Sequence, residues 1–383
     1  MTRGQRCGLV AVAAVAAAIA VWWMSRDRAA PVASVAARDA AGVTPAARVA
    51  EPGPRREVVR PIVAAGQPAL ARIKREYENY RKASVYPHWS QPLTPDMDFA
   101  LRWNEAVTED TSFDGANGFV RFDGSAGRVF PGETYRAWIS AWRVVDGERR
   151  PLPVRVTRAV VSVTTGPQVG EAFEVTFRDD GQGGDERPGD GLITTQFVPS
   201  ERDELSRATA VRIEAYVEID REPRQLVRDF VFAPRPVLEV RAVRDRVQDG
   251  SLVATLDCDV LESGTYTFYA NLEAPDGTPI ATTKRSYPLE AGRRSADLVF
   301  FGKVLRDRGL DGPYVVRAIH GLKRAEGEES DVWWSHPAPH TTQTYRAGDF
   351  SDAEWSDPER VERLANFERV IREMDEGNAS PAP

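Results

Sequence analysis

Along much of the chain, apolar and polar residues alternate with a period of two. Val211, Ile213, Ala215, Val217 and Ile219 fall on one side of a single segment, and Arg212, Glu214, Tyr216, Glu218 and Asp220 on the other. Phe173, Val175 and Phe177 repeat the pattern, as do Leu252, Ala254, Leu256, Cys258 and Val260. One apolar face per strand is what an antiparallel sheet covered on one side needs. Further strands are predicted over 226–232, 266–272, 296–301 and 314–319. Pro275-Asp276-Gly277-Thr278 reads as a hairpin turn in which Gly277 takes a positive φ. Short strands with turn residues about every 8–15 positions fit sandwiches better than barrels. The expected fold class is mostly β: two tandem immunoglobulin-like (fibronectin III-like) β-sandwiches over 115–236 and 237–350. Ala233-Pro234-Arg235-Pro236 forms the junction between them.

A helical period replaces the alternation at two places. Pro68 suits a first helical turn, and Leu70, Ile73, Tyr77 and Tyr80 share one face, which predicts a helix over 67–83. The prolines of Tyr86-Pro87-His88-Trp89-Ser90-Gln91-Pro92-Leu93 then impose an extended segment. Within 67–114 its aromatic residues are expected to dock on the first sandwich. The final segment, 351–383, carries a second helix capped by Asp357, with Pro358 and Glu359 in its first turn. Val361, Leu364, Ile371 and Met374 form a narrow apolar stripe on it. The stripe either packs on the second sandwich or binds a protein partner.

The N-terminus has a different character. Residues 8–24 are uninterrupted apolar sequence behind a short basic start. At ~1.5 Å per residue they span most of a ~30 Å hydrocarbon core. Trp22 and Trp23, followed by Arg26 and Arg28, suit a membrane interface. Residues 1–24 are read as a signal anchor, or alternatively as a cleaved signal peptide with sites near Ala30 or Ala37. Residues 25–66 are rich in Ala, Pro, Val and Arg without period and are expected to form a disordered tether. The expected location is the bacterial inner membrane with a periplasmic bulk, or the periplasm after cleavage.

Charge and cysteine content narrow the function. The formal net charge is −7 with Arg and Asp/Glu interspersed, so no basic face for nucleic acid is predicted. Cys258 lies on an inward strand face and reads as a small buried hydrophobe. Cys7 borders the apolar run without the small residues that precede a lipoprotein cysteine. His336 and His340 are four apart, but the prolines between them forbid the helix that would align their rings. His88 reads as packed or solvent-facing. No nucleophile elbow, phosphate loop or zinc-helix motif occurs, so no enzyme and no catalytic residue is predicted. Trp138, Trp142, Trp333 and Trp334 are candidates for stacking on sugars, but Trp138 and Trp142 share parity in one strand, so one or both are expected to fill the core.

The most distinctive stretch is 179–191. It holds four aspartates, Asp179, Asp180, Asp185 and Asp190, among five glycines. Calcium takes six to eight hard oxygens, and a glycine-rich loop lets carboxylates and carbonyls converge. The spacing is not that of an EF-hand. The competing reading is an ordered turn whose aspartates bind backbone amides. Calcium is the one cofactor considered.

Three segments together resemble bacterial envelope proteins of the choice-of-anchor X type: 86–93, the acidic-glycine loop followed by Leu192-Ile193-Thr194, and Gly309-Leu310-Asp311-Gly312-Pro313-Tyr314. The loop is also similar to one in fibronectin-like domains of secreted proteins that bear von Willebrand factor A domains. The resemblance spans about residues 80–350 and implies immunoglobulin-like domains with interchangeable anchors and no assigned catalytic residue. The expected function is a non-catalytic periplasmic scaffold or binding protein whose partner is a protein or an envelope polymer. The alternatives are a carbohydrate- or peptidoglycan-binding accessory, hydrolytic or not, and a calcium-stiffened spacer.

Overall fold

The alternating segments form strands, and the strands enclose two apolar cores. The computed structural model describes residues 67–113, 117–164, 170–207, 209–325 and 331–379, within a unit spanning Val63–Pro383. The predicted anchor and tether, 1–66, lie outside the described residues.

The N-terminal β unit has two five-stranded sheets. One joins β2 (Asp110–Phe113), β3 (Gly118–Gly124), β5 (Tyr135–Val145) and β6 (Glu148–Leu152), with β9 (Ile193–Phe197) paired to β5. The other runs β4 (Arg128–Val129), β11 (Glu222–Phe232), β10 (Ala210–Ile219), β7 (Val154–Val163) and β8 (Gly170–Glu174). All pairs are antiparallel except β4 with β11. The inward faces share one core. Ile213, Ala215 and Ile219 of β10 meet Tyr135, Ala137 and Ile139 of β5, all fully buried. Each large side chain of this kind contributes about 1.5–3 kcal/mol.

The C-terminal unit pairs a three-stranded sheet with a six-stranded one. The first is β12 (Leu238–Gln248), β13 (Ser251–Val260) and β16 (Gly292–Phe300). The second runs β1 (Ser90–Pro92), β15 (Pro279–Leu289), β14 (Gly264–Glu273), β17 (Val315–Lys323) and β18 (Val332–His336), with β19 (His340–Thr341) also on β17. Cys258 is buried in this core, and burial, then the charges of Asp257 and Asp259, push its thiol up to about 12. It stays a neutral thiol, as a packing residue should. Among the described residues the two long α-helices are α1 (Gln67–Ala83) and α4 (Pro358–Ala379), and two short ones, α2 (Asp98–Leu101) and α3 (Gly302–Arg308), lie between them in sequence. The fold is thus mostly β, with several antiparallel sheets and a long helix towards each end.

Three placements differ from the sequence reading. First, 86–93 docks on the C-terminal unit, not on the N-terminal one. Ser90–Pro92 adds a strand to β15, and the Leu93 amide donates to the Ile280 carbonyl at 3.0 Å. Leu93 is fully buried, and Trp89 packs edge-on against Phe301 and Trp355. The prolines fix the segment's shape, but its partner lies almost two hundred residues away, as the Trp89 carbonyl accepting from the Thr283 hydroxyl shows (|i−j| = 194).

Second, the C-terminal helix α4 packs on the N-terminal helix α1, not on the C-terminal β unit. The pair is antiparallel: Lys74 meets Asp375 at 2.9 Å, while at the opposite end Arg360 donates to the Ser84 hydroxyl at 3.0 Å. Between them Phe367 lies 6.1 Å from Tyr77 and 5.9 Å from Tyr80. Asp357 caps α4 by accepting the Arg360 amide at 2.8 Å.

Third, Trp138 and Trp142 are outside the core. Tyr135, Ala137, Ile139 and Ala141 take the inward positions of β5. Trp142 is buried on the other face by Phe119 at 5.9 Å and by the guanidinium groups of Arg149 and Arg121. Arginines on an aromatic face make an outward tryptophan as inaccessible as a core one.

Candidate functional site

The acidic-glycine loop connects the chain after β8 to β9 and folds over the outer face of the β5–β9 pair. Arg178 and Thr194 bridge its two ends. Arg136 of β5 grips Glu186 at 2.7 Å, and a cavity of about 310 Å³ opens between the loop and Trp138. Gly184 comes so close to Gln196 that a Cβ would lie 2.9 Å from the side-chain oxygen, and its φ of 98° also favours glycine.

Asp179, Asp185 and Asp190 converge, with one carboxylate oxygen of each within 4.8 Å of the others. The same carboxylates organise the loop. Asp179 accepts the amides of Gly189 at 2.8 Å and Gly191 at 3.2 Å. Asp185, buried at 7% exposure, accepts those of Gly181 at 2.6 Å and Arg187 at 3.2 Å. Asp190 accepts the Leu192 amide at 2.9 Å. Asp180 turns away, holding the Gln182 amide at 3.0 Å and Arg178 at 3.3 Å. The convergent oxygens are hard donors of the kind calcium takes, and each carboxylate oxygen has a second lone pair beyond its amide. Three of the four predicted aspartates therefore meet, and the fourth does not.

The stripe on α4 is divided. Leu364, Ile371 and Met374 are half-buried, whereas Val361 is 55% exposed. No described residue of α1 or α4 is fully buried. The histidines of 336–340 also separate. His340 reaches Asp245 at 2.7 Å, and His336 faces the seam between the two β units. Burial pushes Asp245 up, but hydrogen bonds from Tyr345, His340 and the Gln343 amide bring it below the usual carboxylate value.

Sequence reasoning missed that seam. Trp103 stacks on His320 at 3.8 Å and 8°, Tyr269 covers the other side at 5.1 Å, and Arg128 lies 3.9 Å over Trp333. His320 donates from Nδ1 to the Ala318 carbonyl at 2.6 Å. Burial, then the Arg128 charge, push its imidazole down to about 3 against that hydrogen bond. Trp334 is no sugar platform. It is 3% exposed, against Phe268 in the core. Trp333, one residue earlier, carries the opposite parity and is capped by Arg128. Among the described residues no helix is long and apolar enough to cross a membrane.

No family model matches the chain, and no curated protein does either. Solved structures give distant similarity. A DUF4785 family protein from Legionella pneumophila aligns at 15% identity and a TM-score of 0.41, over 59% of this chain and 57% of that one. Trypsin-activated alpha-2-macroglobulin from Escherichia coli aligns at 13% identity and a TM-score of 0.21, over 63% and 17%. Dimeric latent PorU from Porphyromonas gingivalis aligns at 10% identity and a TM-score of 0.18, over 66% and 20%. The chain thus spans little more than half the length of the first and a fifth or less of the other two.

Proposed function

We propose that the chain is a non-catalytic scaffold of the bacterial cell envelope, held at the inner membrane by its N-terminus or released to the periplasm. It presents two immunoglobulin-like sandwiches to a protein or envelope-polymer partner. The observation that supports this reading is the locked seam, where Trp103 and Arg128 are clamped on His320 and Trp333. A scaffold needs its binding surfaces at fixed separation, and a stacked, desolvated junction supplies that. Paired sheets with loop clusters at their ends are common recognition surfaces. The likeness to choice-of-anchor X proteins fits the same reading.

Crosslinking of the full-length protein in its native cells tests it. Recovery of one recurrent, near-stoichiometric protein from the membrane fraction is the expected result. Recovery of peptidoglycan fragments alone would replace the protein partner with a polymer. An uncrosslinked monomer would sink the scaffold reading.

A second reading, a calcium-stiffened spacer, rests on the convergence of Asp179, Asp185 and Asp190. It predicts that calcium raises the melting temperature and that Asp190→Asn abolishes the rise. A parent protein whose melting is indifferent to calcium would leave only the amide-bonded turn.

A further inference from the structure

Beside the stacked seam the two β units do not close on each other. A cavity of about 410 Å³ remains. That lies within the about 300–1,000 Å³ of small-molecule sites, which favour junctions between folded units. Trp103 and Phe130 form one wall, and the outer face of the six-stranded sheet forms the floor.

The floor has an irregularity at this position. The register between β14 and β17 slips between Tyr269 and Asn271, and Ala318 opposite the slip has φ 51°. Val316 and Ile319 both enter the core, so Arg317 and Ala318 fall consecutively on the outer side. An alanine in the left-handed region is strained by its Cβ, which a glycine there would relieve. Bulges and strain of this kind concentrate where a strand must re-aim a side chain at a ligand. Here the bulge brings Arg317 to Glu273 at 3.3 Å, with the Glu273 side chain 15% exposed. Burial raises the Glu273 carboxyl above its usual value against the pull of Arg317, and burial holds His336 on the rim below its own.

We propose that this seam cavity binds a neutral saccharide of one or two rings. The lining carries two acids, Glu133 and Glu273, against one base, Arg317, which disfavours a carboxylate or phosphate ligand. A cationic ligand would have to displace Arg317 from Glu273. A carboxylate beside a guanidinium instead offers paired planar acceptors and donors, which suit two adjacent hydroxyls that each donate one hydrogen bond and accept another. Ser335 and a neutral imidazole add uncharged partners at the rim. Trp103, with one ring face taken by His320, lines the cavity as an apolar wall for the C–H groups of the sugar, and the stack fixes its orientation. This site stands apart from the scaffold reading and does not depend on it.

The full-length protein, screened on an array of neutral mono- and oligosaccharides and then titrated by calorimetry with the strongest hit, tests the proposal. Binding is expected to fall at least tenfold in Arg317→Met and in Glu273→Gln with the melting temperature kept, and to vanish in Ser335→Trp, which fills the cavity. Binding that survives Arg317→Met and Glu273→Gln would overturn it. So would an array without any neutral-glycan signal, or preferential binding of glutamate or phosphate used as charged comparators.

Discussion

His320 is an ionisable side chain with no room for its charge. Its ring lies between Trp103 and Tyr269, beside the guanidinium of Arg128, and its pKa of about 3 is far below the ordinary 6.5. The unfolded chain therefore takes up the proton first, and acid favours unfolding from about pH 6.5 downward. Between pH 6.5 and 5 the penalty grows by about 1.5 kcal/mol, the slope rising from half of the full value of about 1.4 kcal/mol per unit to nearly all of it. Thermal melts of the parent protein should fall over this range, and His320→Phe, which keeps the stack, should flatten the dependence. Equal acid sensitivity in parent and variant would assign the effect to other groups. The sequence carried no sign of this residue's importance, because a lone histidine in a strand looks the same whether it is solvated or stacked.

At the scale of elements, the tryptophan at position 334 is admitted to the core by a glycine on the neighbouring strand. Gly321 of β17 is directly opposite Trp334 of β18, and a Cβ at 321 would collide with the indole and with the Thr267 carbonyl. Gly321→Ala should cost about 1–3 kcal/mol through overpacking. A drop in the denaturant midpoint checks this, and Trp334→Phe in the same background should recover part of it. Strands were legible where one face is apolar throughout, as in β10, whose buried residues are the five named from alternation alone. Legibility failed where a bulge resets the phase, as at Ala318, and where an outward aromatic is covered by arginines, as at Trp142. It failed too at Ser90–Pro92, since period and propensity report a strand's shape but not which sheet receives it. At the acidic loop, composition marked the aspartates, but only the folded backbone separates Asp180 from the three that converge.

At the scale of the molecule, the chain leaves α1, adds a strand to the C-terminal unit, builds the N-terminal unit, returns to complete the C-terminal one, and ends against α1. The α1–α4 pair contributes little to either core, so removal of 358–379 should leave a cooperative melt with both sheet pairs intact. Circular dichroism of that truncation checks it, and loss of the transition would show that the helix pair belongs to the folding unit. The antiparallel arrangement of the pair sets how tension would enter the molecule. The entry of α1 and the exit of α4 lie together near the Lys74–Asp375 contact, while Ser84 and Arg360 close the far end. A pull on the two ends would peel the helices apart turn by turn, like a zipper, and the strain would reach the Trp89–Trp355 contact before it reached a sheet. The pair would act as a fuse that opens at low force and spares the β units.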